Sequence, residues 1–391
     1  MAAPQRNDDD DVPKDSEIAG HAPDVEEEDL GEPPDLHSKY DPSQIRVDSK
    51  PFSLHQVVDL IAGGELDLTP DFQRNKVWKP WQKSRLIESI FLRFPLPAFY
   101  FAADGDGLLH VVDGLQRIST IYDFVKGGDD FNTLSGLEYM TIDQLGGLTW
   151  ETLGGAWKRR LNMTQIFAHV IDPQTPFQVK FQIFQRLNQN GVPLNAQEIR
   201  NSISRKRSRD FLRGLAKSKS FLTATAYALA DNPRMADLEA VLRVCAFRME
   251  ADIGPYASFD SLDDFLTAAS RRLDQEQKFP ASRLEQLRAD FERAMQNGYR
   301  LFGRHAFRKW LVDQARRFQL SKPLLESWGC VLADYEWEQL APHKEAIVTA
   351  FRTRLQEDSA YRDAISFNTA SRRNVSYRLE VARAILTEHL S

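Results

Sequence analysis

Residues 108–128 constrain the fold more than any other part of the chain. They begin with five residues typical of a short strand, pass through Asp113-Gly114, and end at Gly127-Gly128. Between the two glycine sites, apolar residues recur at helical spacing: Ile118, Ile121, Tyr122 and Val125. An apolar strand followed at once by a helical pattern requires a tight strand–turn–helix unit, which predicts a domain of mixed helices and strands. We expect Asp113 to cap the helix and the glycine pair to end it.

The flanking segments extend this pattern. Helices are predicted over residues 54–61, with Ser53 as N-cap, and over residues 79–94, with Trp81, Leu86, Ile87, Ile90 and Phe91 on the apolar face. Strands are predicted over residues 98–102, 108–112 and 165–171. These elements define an α+β domain over residues 46–172.

Beyond Asp172 almost every segment has helical periodicity. Helical spacing is clearest over residues 238–249, 282–297, 323–335 and 344–355, and Asn195-Ala196-Gln197-Glu198 has the form of a capping box. The sequence therefore predicts a second, mostly α-helical domain over residues 173–391.

Charge is distributed unevenly along the chain. Residues 1–45 carry fourteen acidic and three basic side chains, whereas the remaining residues carry 47 basic and 42 acidic ones. An acidic, proline-containing segment without apolar periodicity is expected to be disordered. Two functions fit it: a solubilising tail, or an autoinhibitory mimic of nucleic acid that competes for a basic surface.

Composition also excludes several classes of protein. No stretch approaches the roughly 20 apolar residues that a membrane helix needs, and the N-terminal residues lack the pattern of a secretory signal. Cys245 and Cys330 are too few and too far apart to indicate a disulfide scaffold or a thiolate metal site. We therefore expect a cytoplasmic protein without membrane contacts.

The segment Asp113-Gly114-Leu115-Gln116-Arg117 has the chemistry of an anion site. A helix N-terminus after a glycine presents backbone N–H groups and the positive end of a helix dipole. Arg117 supplies a planar donor fork, and Asp113 is suited to cap the helix, bind a metal ion or orient a water. Gln116, Ser119 and Thr120 add neutral hydrogen-bonding groups within a turn. The alternative is a capped helix whose arginine forms a structural salt bridge.

Two further motifs have similar alternatives. Gln73-Arg74 precedes Val77-Trp78 and fits either a ligand contact or a structural ion pair. The segment from Asn188 to Gly191 is typical of a polar turn, in which Asn188 is either a helix C-cap or part of a pocket.

Residues 200–219 hold eight basic side chains and one acidic one. On a helix, Arg205, Arg209 and Arg213 share a face, with Lys206 and Lys217 nearby. Such clusters bind the phosphate backbone of DNA, and the alternative is a solvated helix face.

Taken together, these motifs resemble a known family. The ordered set PDFQR, VW, LIESI, PLP, VVDGLQRISTI and FQIFQRLNQNGVPLNAQEIRNS, over roughly residues 50–205, is similar to the N-terminal domain of GmrSD-type (type IV) restriction endonucleases. The resemblance implies a ParB/sulfiredoxin-like fold whose DGQQR signature binds a nucleoside triphosphate, supports hydrolysis and is coupled to DNA. A divalent metal such as Mg²⁺ would accompany the nucleotide, with Asp113 as a ligand.

The resemblance assigns roles to single residues. It implies catalytic roles for Asp113, Gln116 and Arg117. The nucleotide-binding residues that it implies are Gln73, Arg74, Gly114, Arg117 and Asn188. We add Ser119 and Thr120 to this set because their hydroxyls lie within a turn of the motif. Leu115 departs from the signature, which has a glutamine there, and a leucine cannot contact phosphate or position a water. This departure favours binding over hydrolysis.

A second departure concerns the nuclease. Full-length relatives often add a C-terminal His-Asn-His nuclease domain, and we find no such pattern around His305, His343 or His389. A protein of this kind would cut DNA through its ParB-like site or through a separate nuclease subunit.

Three functions remain open. The leading hypothesis is an enzyme-like defence protein that binds, and hydrolyses, nucleoside triphosphate and acts on or senses DNA. The alternative is a non-catalytic DNA-binding regulator whose DNA binding is indifferent to Asp113→Ala. A protein-interaction scaffold would bind neither nucleotide nor DNA.

Overall fold

The computed structural model describes residues 24–31, 45–68, 78–105, 107–128, 131–139, 145–176, 179–180, 183–184, 186, 195–312 and 317–390. The chain divides into two compact units. The first, here called the sheet unit, is Asp35–Ser204, and the second, the helical unit, combines Met1–Pro34 with Arg205–Ser391.

The sheet unit is built on five strands. They are β1 (Val47–Ser53), β2 (Leu66–Asp67), β3 (Phe99–Ala103), β4 (Leu109–Asp113) and β5 (Gln165–Ile171). Their order in the sheet is β1-β5-β3-β4-β2. Strand β5 is antiparallel to β1 and parallel to β3, whereas β4 is antiparallel to β3 and parallel to β2. The sheet is mixed, and the predicted α+β class is confirmed.

Five helices accompany these strands. They are α1 (Leu54–Ala62), α2 (Pro80–Phe91), α3 (Leu115–Lys126), α4 (Gly155–Met163) and α5 (Ala196–Ile203). Ser53 caps α1 as predicted, since its Oγ accepts the Gln56 N–H at 3.2 Å. The capping box at Asn195 is also confirmed, with both of its hydrogen bonds to Glu198 at 2.8 Å.

Side chains alternate between the two faces of the sheet, as the pleat requires. Phe99, Phe101 and Val111 belong to the larger of the two apolar cores beside the sheet, which they share with helices α1 to α4. On the opposite face Ala102 and Val112 pack with Phe184 and Ile199, which lies on α5. Strand β4, which leads into the DGLQR segment, is therefore covered on both faces.

Two features of the sheet unit differ from the sequence-based expectation. Strand β1 is an additional strand, whose residues are almost all exposed and carry little apolar alternation. It is an edge strand with Lys50 and Pro51, residue types that protect sheet edges from further pairing. Trp81, which is predicted to face the core, is instead 43% exposed, and the Arg85 guanidinium lies 4.8 Å from the centre of its ring.

The helical unit is almost entirely helical in its described residues. Its helices are α6 (Lys206–Ala216), α7 (Lys219–Thr225), α8 (Ala236–Arg248), α9 (Glu250–Ile253), α10 (Leu262–Asp274), α11 (Ala281–Phe302), α12 (Lys322–Leu332), α13 (Trp337–Leu340), α14 (Lys344–Glu357), α15 (Ser359–Ala364) and α16 (Arg372–Leu390). None of the helices in the described part of the chain combines the length and apolar character needed to span a bilayer. Cys245 and Cys330 are both buried free thiols.

The division of the chain differs from the predicted one in two places. The sheet unit ends at Ser204 rather than near Asp172, because α5 packs on β4. The helical periodicity of α5 resembles that of the later segments, so the sequence pattern assigned it to the helical domain. Residues 24–31, predicted to belong to a disordered tail, are instead paired with the helical unit. The rest of that predicted tail, apart from Ile45, lies outside the described residues.

Candidate functional site

The DGLQR segment spans the junction between β4 and α3. Asp113 is the last residue of the strand, and Leu115 is the first of the helix. The predicted N-cap is wrong: the cap position is held by Gly114, with φ 95°, and it makes no side-chain bond. The Asp113 carboxylate instead accepts a hydrogen bond from Arg117 Nη2 at 2.9 Å. Gly127, with φ 73°, ends the helix as predicted.

Only glycine fits between Asp113 and Leu115. The positive φ of Gly114 strains any residue with a Cβ atom, and that atom would lie 2.3 Å from Phe99 Cδ1. It would also lie 3.1 Å from Arg117 Nη2. Phe99 is fully buried and has no room to retreat. The glycine therefore brings the backbone into contact with the strand β3 ring and the arginine fork.

Arg117 is a fixed part of this junction. Its Nη1 donates to the Pro97 carbonyl at 2.5 Å, and its Nη2 donates to the Ala98 carbonyl at 3.2 Å as well as to Asp113. The guanidinium carbon lies 4.1 Å from the centre of the Phe99 ring. Burial lowers the pKa of Arg117, and the Asp113 carboxylate raises it back in part. The structural salt bridge, given above as the alternative, is thus present.

This bonding leaves part of the fork available. A guanidinium has five N–H donors, and the three bonds above use three of them. The Nε–H and the second Nη1–H have no partner among the described residues. Arg117 is therefore oriented by protein acceptors and keeps two donors for a ligand.

Leu115 has a structural explanation. It is 7% exposed and belongs to the larger core, with Ile118 and Ile121 from the same helix. At this position a side chain packs under the helix rather than towards solvent. The leucine therefore contributes apolar contact where the family signature has an amide.

Two buried polar atoms beside the junction lack partners. Gln116 Oε1 and Thr120 Oγ1 are inaccessible to solvent, and neither has a hydrogen-bond partner among the described residues. The two residues are four apart on α3 and so lie on one side of the helix. Ser119, between them, donates its hydroxyl to the Gln116 carbonyl at 3.3 Å. Buried polar groups are nearly always bonded, so this pair is unusual.

The remaining nucleotide-site predictions lie outside the described residues: Gln73, Arg74, Asn188 and Gly191. Strand β2 is parallel to β4, with Asp67 beside His110. Strand β2 therefore ends at the same end of the sheet at which β4 reaches Asp113. The described site consists of Asp113, Gly114, Gln116, Arg117, Ser119 and Thr120.

The predicted DNA-binding residues lie on or beside α6 and differ strongly in exposure. Arg209 is 7% exposed, so it does not share an open face with Arg205 and Arg213, both of which are half-buried. It is buried together with Phe211, Leu212 and Leu215 of the same helix. Lys206 and Lys217 are exposed, and Lys206 forms an ion pair with Asp210.

Sequence reasoning missed a polar helix on the other face of β4. Helix α5 buries Gln197, Arg200 and Asn201, each 4% exposed or less. Arg200 Nε donates to Gln197 Oε1 at 2.9 Å, whereas Asn201 Nδ2 has no partner among the described residues. The sequence alone does not indicate this burial, because a helix with few apolar positions is usually exposed.

The strand, glycine and helix define a mixed α/β domain with an anion-type junction at the end of β4. The comparison with known families gives a name to this domain. Residues 54–204 match the model of the GmrSD restriction endonuclease, N-terminal domain, which confirms the resemblance. The match ends at the last residue of the sheet unit. No curated protein matches the chain. The domain relates this chain to restriction and defence proteins.

Proposed function

We propose that the sheet unit binds a nucleoside triphosphate at the β4–α3 junction and uses it to act on or sense DNA. The observation that carries the proposal is the pair Gln116 and Thr120. Leaving a buried polar atom unbonded costs on the order of 1–3 kcal/mol, and such costs are tolerated where a ligand supplies the partner.

Each residue of the junction has a separate task. The first turn of α3 offers backbone N–H groups that have no partner within the helix, and Gly114 lets a phosphate approach them. Arg117 adds its two remaining N–H donors. Thr120 can donate its hydroxyl to a phosphate oxygen, whereas Gln116 Oε1 and Ser119 Oγ can accept from hydroxyl or N–H groups of the sugar and base.

Asp113 is suited to hold a metal ion or a water. One carboxylate oxygen accepts from Arg117, and the side chain is 40% exposed. Mg²⁺ prefers oxygen ligands and is commonly held by one or two carboxylates together with phosphate oxygens. When bound, it would neutralise phosphate charge. No group of three His, Cys, Asp or Glu side chains suited to a metal occurs within the described ranges. The remaining ligands would therefore come from the nucleotide and water.

Binding is better supported than turnover. Leu115 is buried in the core, so the signature position that would add a second amide is apolar here. If hydrolysis occurs, Asp113 and Gln116 are the side chains able to orient the attacking water. The alternative, a DNA-binding regulator without turnover, is favoured by the same leucine.

The test is equilibrium binding of ATP, GTP, CTP and UTP by calorimetry, with and without Mg²⁺, followed by phosphate release with and without DNA. Wild type should bind at least one nucleotide. Thr120→Val and Gln116→Leu should weaken binding about ten-fold or more, because each removes one polar contact. Thr133→Val, an exposed threonine of the same unit, is the control and should bind like wild type. Absence of nucleotide binding by the folded wild-type chain would refute the proposal.

A further inference from the structure

Three aromatic side chains of the sheet unit are open to solvent on and beside helix α2. Trp81 is 43% exposed, Phe94 49% and Tyr139 68%. The Phe94 and Tyr139 rings meet edge to face, with their centres 6.0 Å apart. Scattered exposed aromatic residues are ordinary, whereas these are joined by contacts into one patch. We call it the aromatic surface, and it consists of Trp81, Arg85, Arg93, Phe94 and Tyr139.

The exposed rings are held in place from below. Glu88 of α2 is 2% exposed, and its two carboxylate oxygens accept the N–H groups of Glu138 at 3.0 Å and Tyr139 at 2.8 Å. Gly136 lies against Trp81, since a Cβ atom on this glycine would be 2.9 Å from Trp81 Cβ. The surface is therefore fixed before any ligand arrives, which lowers the entropy cost of binding.

Arg85 connects the two halves of the aromatic surface. Its guanidinium carbon lies 4.8 Å from the centre of the Trp81 ring, and its Nη1 lies 3.1 Å from Glu138 Oε2. The Arg85 side chain is 44% exposed. A guanidinium has five N–H donors, so a single ion pair orients Arg85 and leaves donors that face water.

Arg93, just after α2, has an unusual backbone conformation. Its φ is 60°, in the left-handed region where a Cβ atom is strained. The Arg93 N–H donates to the Ile90 carbonyl at 3.1 Å and the Phe94 N–H to the Ser89 carbonyl at 2.9 Å. These are the bonds of a Schellman motif, whose left-handed residue is usually glycine. The Arg93 side chain is exposed, and no partner for it lies in the described part of the chain.

The identity of this residue indicates what the surface binds. Glycine would form the same turn without strain, so the fold does not require an arginine at position 93. What arginine adds there is an open cation next to an exposed ring, and strained residues of this kind cluster at functional sites. A protein partner would also suit the rings, but a cation kept at a glycine position favours an anionic ligand.

We propose that the aromatic surface binds single-stranded nucleic acid, with bases stacked on the rings and phosphates on Arg93 and Arg85. Rings combined with arginines are typical of single-strand binding, because every base has a π-face and every nucleotide a phosphate. The surface adjoins the β4–α3 junction, since Phe94 is three residues before Pro97, whose carbonyl accepts from Arg117. DNA is its ligand on the basis of the proposed function, on which the inference rests in this respect.

The test is binding of a fluorescently labelled oligo(dT) of about 15 nucleotides to the full chain, measured by anisotropy without nucleoside triphosphate. Tyr139→Ala and Phe94→Ala should each weaken binding about ten-fold, because each removes a ring on which a base stacks. Phe167→Ala is the matched control and should bind like wild type, since it removes a 62% exposed ring from β5 of the same unit. The same oligo(dT) paired with oligo(dA) should bind more weakly, because its bases are already stacked.

Arg93→Gly separates binding from stability. Glycine suits the left-handed position, so the Tm of this variant should equal or exceed that of wild type. Its affinity for oligo(dT) should nevertheless fall, and the slope of log affinity against log salt should decrease by about 0.7, the value for one phosphate of a single strand. Arg46→Gln changes an exposed arginine of the same unit and should leave affinity and slope unchanged.

Three results would overturn the inference. They are a wild-type chain that binds no oligo(dT), a loss in Phe167→Ala as large as in Tyr139→Ala, and an Arg93→Gly variant that folds and binds like wild type with the same salt slope. The last result would leave the surface to a protein partner. Nucleoside triphosphate is absent from these measurements, so a chain that binds ATP, GTP, CTP or UTP but not oligo(dT) refutes this inference alone. A chain that binds oligo(dT) but none of the four refutes the nucleotide site alone.

Discussion

Replacing Thr120 by valine should stabilise the free protein, which is the opposite of what most core substitutions do. The hydroxyl of Thr120 is buried and has no hydrogen-bond partner among the described residues. Valine has nearly the same shape and removes the polar atom, so the penalty of about 1–3 kcal/mol for an unbonded buried group is removed with it. At roughly 2–4 °C per kcal/mol for a domain of this size, Tm should rise by about 2–12 °C.

The matched control is Thr175→Val in the same unit. Thr175 is 1% exposed, and its hydroxyl donates to the Arg46 carbonyl at 3.1 Å and accepts the Arg46 N–H at 3.3 Å. Valine breaks both bonds, so this variant should lose on the order of 1–3 kcal/mol. Urea unfolding followed by circular dichroism measures both variants.

The two results together decide the reasoning. If Thr120→Val destabilises the protein as much as Thr175→Val, the Thr120 hydroxyl has a partner in solution and is not a ligand group awaiting one. If Thr120→Val is more stable than wild type and binds nucleotide more weakly, stability and binding are opposed at this residue. That opposition is expected of a binding site and not of a structural threonine.

Three further predictions concern other residues. Gly114→Ala should lower the free energy of unfolding in urea by at least about 2 kcal/mol, because both the positive φ and the Phe99 ring disfavour a Cβ atom. Gly147→Ala is the control and should lower it less, since φ is also positive there but no atom lies within 4 Å of the added Cβ. Equal losses for the two variants would show that the Phe99 ring moves to make room. Glu28→Gln should cost roughly 3 kcal/mol at neutral pH by leaving Arg243 with one carboxylate fewer. Burial by itself raises the pKa of Glu28, but Arg243 and Lys322 together lower it more, so the folded pKa lies below 4.5. The stability from these charges is present above pH 4.5 and is lost as pH falls through the folded pKa. A difference in stability between wild type and Glu28→Gln that persists in acid would contradict this. Lys206→Gln with Lys217→Gln should reduce the slope of log DNA affinity against log salt by about 2, because two phosphate contacts are lost. Arg209→Gln should lower Tm instead, because Arg209 is buried. Weaker DNA binding by Arg209→Gln at an unchanged Tm would show that Arg209 contacts DNA, as the sequence predicts.

Local patterns predict the elements around the site well. The helix after Ser53, strand β5 and the capping box at Asn195 all follow from short-range rules, because the residues that form them are neighbours in sequence. Strand β1 escapes such rules because an exposed edge strand has no apolar alternation to detect. The family motifs likewise locate the junction at Asp113-Gly114, although the cap itself falls one residue later.

The features that sequence patterns do not show depend on contacts between distant residues. The bonds of Arg117 to Pro97 and Ala98 join parts of the chain about 20 residues apart. The spacing of residues within the motif therefore cannot show whether the guanidinium donors of Arg117 are already bonded to the protein. Arg209 resembles a phosphate ligand in sequence because helical spacing gives the angle of a side chain and not the residues that pack over it. The pairing of the acidic segment is invisible for the same reason, since a charged run without apolar periodicity resembles a disordered tail.

The pairing of residues 24–31 also has a consequence for the order of folding. Glu28 and Arg243 are 215 residues apart, and Glu28 and Thr369 are 341 apart. During synthesis this segment leaves the ribosome before the sheet unit, whereas Arg243 and Thr369 leave it after the sheet unit, so these contacts of high sequence separation form late. The whole sheet unit is completed in the interval. A nascent chain therefore carries its acidic segment unpaired until Arg243 and Thr369 have been synthesised, and the helical unit acquires these contacts only after the sheet unit has left the ribosome.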